Sequence, residues 1–82
     1  MKREIRLHKD AEKFLEKVDN RAYKRLVSAL KNLAGIPPVG DIKPLQGTKS
    51  TFRARVGGYR IIYRIEENTL LIRDIDSRGQ IY

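Results

Sequence analysis

The chain has 82 residues, a formal net charge of +8 and no cysteine. This length predicts one domain, residues 1–82, and the lack of cysteine excludes disulfides and thiolate metal sites. The single histidine excludes a histidine-rich metal centre. The first ten residues are charged rather than apolar, and no apolar run approaches the roughly 20 residues of a membrane span. We therefore expect a cytoplasmic protein.

The charge balance points to a class of partner. Eighteen Lys and Arg residues stand against ten Asp and Glu, and the sequence pI is about 10.1. In a single domain, such an excess is the electrostatic footprint of a nucleic-acid-binding protein. The alternative is a charge-rich surface of the kind common in proteins from hot environments. The positions of the arginines decide between the two.

The first half of the chain is predicted to be mainly helical. Ile5 and Leu7 alternate with charged residues and predict a short strand near residues 2–8. Two amphipathic helices follow, separated at Asp19-Asn20, which can cap the second helix. Gly35 and the two prolines after it end that helix. Its apolar stripe, which we expect to be buried, consists of Tyr23, Leu26, Val27, Leu30, Leu33 and Ala34.

The second half is predicted to be a sheet. Residues 39–50 have little periodicity and contain Gly40, Pro44 and Gly47, so they are interpreted as a loop. Period-two patterns then predict strands at 51–56, 59–66 and 69–76. Gly57-Gly58 joins the first two strands, and the second turn has two or three residues. The order β-α-α-β-β-β predicts an α+β domain, with a helical hairpin on one face of an antiparallel sheet.

A two-residue turn at Gly57-Gly58 also sets the register of its hairpin, with Arg55 directly opposite Arg60. Because side chains alternate between faces, apolar and aromatic residues share one face. The other face carries Arg53, Arg55, Arg60 and Arg64. Opposed like charges cost a few tenths to about 1 kcal/mol, and solvation alone explains polar residues there but not four cations. Planar guanidinium groups suit phosphate, so this face predicts a phosphodiester ligand.

Other charged residues near this face have lesser predicted roles. Arg64 and Lys49 are candidate RNA contacts, since Lys49 lies just before the first arginine strand. Lys43 is expected to be solvated. Asp74 and Asp76 are separated by one residue on a strand, and we interpret them as partners of nearby arginines rather than as a catalytic carboxylate pair. No phosphate-cradling glycine loop is present.

Three segments resemble the RelE/ParE toxin superfamily, and most closely its RelE branch: KPLQG, FRARVGGYRIIYRI and DSRGQIY. The resemblance covers nearly the whole chain, and its most specific part is residues 52–63. It implies the RelE-like fold and an mRNA interferase of a type II toxin–antitoxin system. Such a toxin works in the ribosomal A site without metal or cofactor. There the 2′-hydroxyl attacks the adjacent phosphorus, leaving a 2′,3′-cyclic phosphate and a 5′-hydroxyl.

The resemblance also implies roles for five residues. Arg60 would hold the scissile phosphate, and Arg78 would stabilise the transition state or help the leaving group. Tyr82 would stack on or orient a splayed base. Arg53 and Arg55 would anchor RNA and neutralise developing charge, so catalysis would be mainly electrostatic and positional.

The general base is left open by the resemblance. Family members often have lysine where this chain has Arg53 and Arg55, and arginine hardly loses its proton. Tyr82, Lys49 or ribosomal RNA are the alternatives. Many relatives also have a histidine where this chain has Ser77.

The resemblance further implies a cognate antitoxin. An acidic helical or extended segment would cover the arginine face or pack along the helices, and a toxin–antitoxin heterotetramer is one arrangement. Two other functions stay open. The ParE branch shares the fold but inhibits DNA gyrase, and a non-catalytic RNA- or DNA-binding module would use the same face for backbone contacts alone.

Overall fold

A computed structural model describes residues 2–45, 47 and 50–77. These residues form two helices and five strands, and the α+β class is confirmed. The elements in chain order are β1 (Glu4–Leu7), α1 (Lys9–Lys17), α2 (Asn20–Leu33), β2 (Asp41–Pro44), β3 (Thr51–Val56), β4 (Tyr59–Glu66) and β5 (Thr69–Ser77).

Both helices begin at a side-chain cap. His8 precedes α1, and its Nδ1 accepts a hydrogen bond from the backbone N–H of Asp10 at 3.2 Å. Asp19 precedes α2, and its carboxylate accepts from the N–H of Ala22 at 2.8 Å. Each cap satisfies a donor that has no partner inside its helix. The predicted break at Asp19-Asn20 is therefore confirmed. Neither described helix is long and apolar enough to cross a membrane.

The buried stripe of α2 is narrower than predicted on one side. Ala22, Leu26, Leu30 and Leu33 are buried, whereas Tyr23 is 47% exposed and Val27, one turn later, is half-buried. Successive residues of an α-helix are about 100° apart, so the side chain next to Ala22 turns out of the interface. The prediction of a buried Tyr23 was wrong.

The sheet has the order β1-β5-β4-β3-β2. The predicted hairpin register is confirmed, with Val56 opposite Tyr59 and Arg55 opposite Arg60. The second turn has two residues, and Glu67 adopts a φ of 52°. The sheet is mixed rather than antiparallel throughout, because β1 runs parallel to β5.

The segment interpreted as a loop contains the extra strand β2, which pairs antiparallel with β3 at the sheet edge. Ile42 packs against the hydrophobic core. Pro44 is tolerated in an edge strand because it need not donate to a neighbouring strand there. A four-residue strand with one inward apolar side chain is too short to show period two, which is why the prediction missed it.

A β-bulge in β5 reverses which of its residues face the helices. Ile62 pairs with Asp74 and Tyr63 with Ile72, so Arg73 is an extra residue. Leu70 and Ile72 are buried before the bulge, and Ile75 is buried after it. Without the bulge, strict alternation would send Asp74 and Asp76 toward the core with Ile72. The bulge therefore brings both carboxylates to the outer face.

The core lies between the two helices and the inner face of the sheet. Phe52 stacks on Tyr63 with ring centroids 5.5 Å apart, and Phe14 meets Tyr59 edge to face at 6.0 Å. Burial raises the pKa of Tyr63 to about 12, because the ionised phenolate is poorly solvated there. The strands contribute these buried side chains: Ala54, Ile61, Tyr63, Leu70, Ile72 and Ile75.

Candidate nucleic-acid interface

Three adjacent strands bring four cationic side chains together on the outer face. In the described part of the chain, an open groove of about 340 Å³ is lined by Lys43 of β2, Arg53 and Arg55 of β3, and Arg60 of β4. Lys43 pairs with Arg53 across β2 and β3, and Arg55 with Arg60 across β3 and β4. Neighbouring strands are only about 4.8 Å apart. The groove, which we call the cationic groove, falls within the roughly 300–1,000 Å³ of ligand pockets.

Arg60 is oriented in this groove by a carboxylate of the next strand. Its Nη2 donates to Oδ2 of Asp76 at 2.9 Å, and the two side chains are 38% and 39% exposed. This hydrogen bond, and then the charge of Asp76, raise the pKa of Arg60 above its ordinary value. Nε of Arg60 is buried and has no hydrogen-bond partner within the described residues. The raised pKa keeps the guanidinium charged, and its η nitrogens carry further donors that the bond to Asp76 does not use.

The arginines of the groove are partly balanced by acidic neighbours. Asp76 pairs with Arg60, which confirms the interpretation of this carboxylate as an arginine partner. Asp74 adds a smaller attraction on Arg60, and Asp41 stands opposite Arg55 in the register of β2 and β3. The repulsion between Arg55 and Arg60 is therefore offset in part by the protein itself. The sequence indicated that a bound anion would be needed to offset this repulsion. With these carboxylates present, the need for a bound anion is smaller.

Arg64 shares the outer face but is removed from the groove. It lies four residues beyond Arg60 on β4, a distance of roughly 13 Å along a strand. Its Nη2 is 3.6 Å from Oε2 of Glu66. The structure therefore brings Arg53, Arg55 and Arg60 together but separates Arg64 from them. The other predicted site residues, Lys49, Arg78 and Tyr82, lie outside the described residues.

Lys43 is the lining residue whose role sequence reasoning missed. It is exposed, as expected of a solvated lysine, but it faces the groove. Its place depends on β2, which the periodicity did not reveal. The signal in the sequence was an apolar Ile42 between charged Asp41 and Lys43. Ile42 packs against the core, and an inward side chain at that position turns both neighbours outward.

Comparisons with known proteins agree with this architecture. A family model described as ParE toxin of type II toxin–antitoxin system, parDE, matches residues 5–82. No curated protein sequence matches the chain at a significant level.

Several solved structures are similar over nearly their whole length. A chain of the archaeal RelE–RelB complex from Pyrococcus horikoshii OT3 is 28% identical, with coverage of 98% of this chain and 99% of that chain and a TM-score of 0.80. A chain of the toxin–antitoxin complex RelBE2 from Mycobacterium tuberculosis is 32% identical, with coverage of 95% of this chain and 100% of that chain and a TM-score of 0.79. A chain of the RelB–RelE complex from Methanococcus jannaschii is 26% identical, with coverage of 94% of each chain and a TM-score of 0.75.

The family match spans both helices and the whole described sheet apart from the first residue of β1. The structural matches reproduce the same fold at high coverage. The chain belongs to the ParE toxin family of type II toxin–antitoxin systems, and thereby to the RelE/ParE superfamily of toxins.

Proposed function

We propose that residues 1–82 form a single toxin domain that acts in the cytoplasm as a ribosome-dependent mRNA endoribonuclease. The reaction is cleavage in the ribosomal A site by attack of the 2′-hydroxyl on the neighbouring phosphodiester, which inhibits translation. The observation that carries this proposal is the cationic groove. Its three arginines and one lysine come from three strands, and Arg60 is held in place by Asp76.

The charges of the groove suit the transition state of this reaction. A phosphodiester carries one negative charge, and attack by the 2′-oxygen adds a second one at phosphorus. Fixed guanidinium groups bind the more highly charged species more tightly, which is the condition for catalysis. In this mechanism Arg60 holds the scissile phosphate, while Arg53 and Arg55 anchor the RNA and neutralise the developing charge. No metal ion or cofactor takes part.

Four further residues complete the proposed site. Arg78 stabilises the transition state or assists the leaving 5′-oxygen, and Tyr82 stacks on the base beside the cleaved bond. Lys49 and Arg64 bind the RNA backbone. The separation of Arg64 from the groove along β4 suits a contact with a phosphate one or two nucleotides from the reacting one.

The proposed partner is a cognate antitoxin, in keeping with the toxin–antitoxin complexes among the similar structures. The positive potential of the groove favours an acidic antitoxin segment, which would block RNA by occupying the groove or by packing along the helices. A heterotetramer of two toxins and two antitoxins is one assembly that such a pair can form.

One observation favours a second function, inhibition of DNA gyrase, because the matching family model is that of the ParE toxins. Against it, a gyrase inhibitor has no need of arginines gathered around a site for one phosphate. We therefore favour the ribonuclease.

The first test combines cleavage with a matched control. The purified chain is incubated with programmed ribosomes, and mRNA 5′ ends are mapped by primer extension. We expect codon-spaced cuts. Arg60→Ala should lower cleavage about 100-fold or more, as loss of one transition-state donor does. Arg6→Ala, which removes a 70% exposed arginine from β1 of the same sheet, should cleave normally.

The other outcomes identify the rival functions. Intact mRNA together with impaired supercoiling by gyrase would establish the ParE-like activity. Intact mRNA together with RNA binding that weakens steeply with salt would establish a non-catalytic binding module. Full cleavage by Arg60→Ala would remove the cationic groove from the mechanism.

A further inference from the structure

The cationic groove contains one side chain that can exchange a proton. Of its four described lining residues, three are arginines and the fourth is Lys43. A guanidinium stays protonated at any working pH, whereas the amine of lysine can serve as a base. Attack by a 2′-hydroxyl requires a group that accepts its proton. Within the described groove, Lys43 alone has the chemistry for this step.

The described carboxylates nearest to the groove on the outer face do not line it. Asp76 is bound to Arg60 at 2.9 Å, and Oδ1 of Asp74 accepts the N–H of Ile75 at 3.0 Å. Asp41 stands opposite Arg55, one strand nearer the edge. None of the three is among the described residues that line the groove. A substrate bound in the groove therefore meets the amine of Lys43 before it meets a carboxylate.

The position of Lys43 also suits contact with RNA. It lies on the edge strand β2, directly opposite Arg53, and its side chain is exposed. The backbone of the strand is held by the core contact of Ile42, while a four-carbon stem lets the amine adjust to a bound nucleotide. The charged groups that face the amine are Arg53, Arg55 and Arg60 across the groove, with Asp41 on its own strand.

We propose that Lys43 is the catalytic residue that accepts the 2′-hydroxyl proton, an inference that rests on the proposed ribonuclease function. The neutral Nζ takes the proton as the bond from the 2′-oxygen to phosphorus forms. The bond from phosphorus to the 5′-oxygen breaks, and its electron pair goes to that oxygen, which takes a proton from water. The ammonium formed on Lys43 adds a positive charge beside the cyclic phosphate and then releases its proton to solvent.

The experiment distinguishes the role of Lys43 as a proton acceptor from the effect of its positive charge. Lys43→Arg keeps the positive charge but removes the base, and Lys43→Ala removes both. Single-turnover cleavage on programmed ribosomes is measured beside the affinity for an RNA with a 2′-deoxy sugar at the cleaved nucleotide, which binds but cannot react. Lys31→Arg, on an exposed position of α2, is the control. Urea unfolding confirms that each variant is folded.

We expect Lys43→Arg to bind the unreactive RNA within about threefold of the unaltered chain and to cleave about 100-fold more slowly, the usual scale of a lost general base. Added ethylamine should restore cleavage by Lys43→Ala in proportion to the concentration of free amine. Lys31→Arg should cleave normally.

Each other result overturns the inference. If Lys43→Arg cleaves within about threefold of the unaltered chain, the base is Lys49, Tyr82 or ribosomal RNA, and the ribonuclease function stands. Equal losses of binding and cleavage, or an alanine variant that ethylamine does not rescue, reduce Lys43 to a phosphate contact. If the unaltered chain makes no cut at all, both this inference and the proposed function fall.

Discussion

The two faces of the β3–β4 hairpin are built from alternate residues of the same short strands, yet they depend on different parts of the molecule. On the inner face, Ala54, Ile61 and Tyr63 are almost completely buried under the helices. On the outer face, Arg55 and Arg60 are paired in register and open to solvent on one side. Burial alone accounts for the inner face. The properties of the outer face are set by the strands on either side.

Those flanking strands supply different charges. β2 adds Lys43 to the cationic groove and places Asp41 opposite Arg55, whereas β5 supplies Asp76, which binds Arg60. Among the described residues, the hydrogen-bonded acidic partner of the groove therefore comes from β5, and the added cation comes from β2. The same hairpin next to different strands would have the same core but another binding surface.

The largest expected effect is on stability, and it compares two neighbouring residues that lie on opposite faces of the hairpin. Ile61 is 0% exposed, and Ile61→Ala should lower the free energy of unfolding by about 2–5 kcal/mol because it leaves a cavity. Ile62, which is half-buried on the outer face, provides the control, since Ile62→Ala should cost less than half as much. Urea denaturation measures both values. Equal losses would show that the outer face is packed as tightly as the core.

The next largest effect is a pH dependence of stability that comes from the phenol group of Tyr63 on the inner face. The pKa of Tyr63 is raised to about 12, so the folded chain keeps a phenol proton that the unfolded chain loses near pH 10. This contribution to stability is complete below pH 10 and is lost as the pH rises toward 12. Between pH 9 and pH 11 the unaltered chain should lose about 1.4 kcal/mol from this group.

Tyr63→Phe has no such proton and provides the comparison. The free energy of unfolding is measured by urea denaturation at several pH values for both proteins. The stability of the unaltered chain should fall more steeply above pH 10 than that of Tyr63→Phe. Parallel curves would mean that the phenol is accessible to water in the folded state.

The smallest effect tests the acidic side of the outer face. Asp76→Asn removes a negative charge beside Arg60 but keeps an oxygen that can accept its hydrogen bond. Because both side chains are partly exposed, the change should be worth less than about 1 kcal/mol, a tightening of RNA binding of about threefold.

Binding is measured by fluorescence anisotropy with the 2′-deoxy RNA at low and high salt. Glu16→Gln on the exposed side of α1 makes the same change in net charge away from the groove. Its effect should be smaller than that of Asp76→Asn at both salt concentrations. Weaker binding by Asp76→Asn would show that the charge of Asp76 is needed to position Arg60.

Much of the fold was predictable because its signals are local. The helix break at Asp19, the strands from Thr51 onward and the turn at Gly57 each depend on residues that are close in sequence. The errors occurred where contacts between distant segments decide the outcome. Tyr23 was assigned to the core from a stripe that is one residue too wide, and β2 is a strand only because β3 is there to pair with it.

The sequence by itself determined the opposition of Arg55 and Arg60, because a two-residue turn at Gly57-Gly58 and the period of two leave a single register. Only the tertiary structure decided what surrounds them. The bulge in β5 turns Asp76 outward to bind Arg60 while Ile75 still reaches the core. The pairing of β2 with β3 brings Lys43 into the groove. Both depend on packing against residues far away in the chain, so neither leaves a local pattern in the sequence.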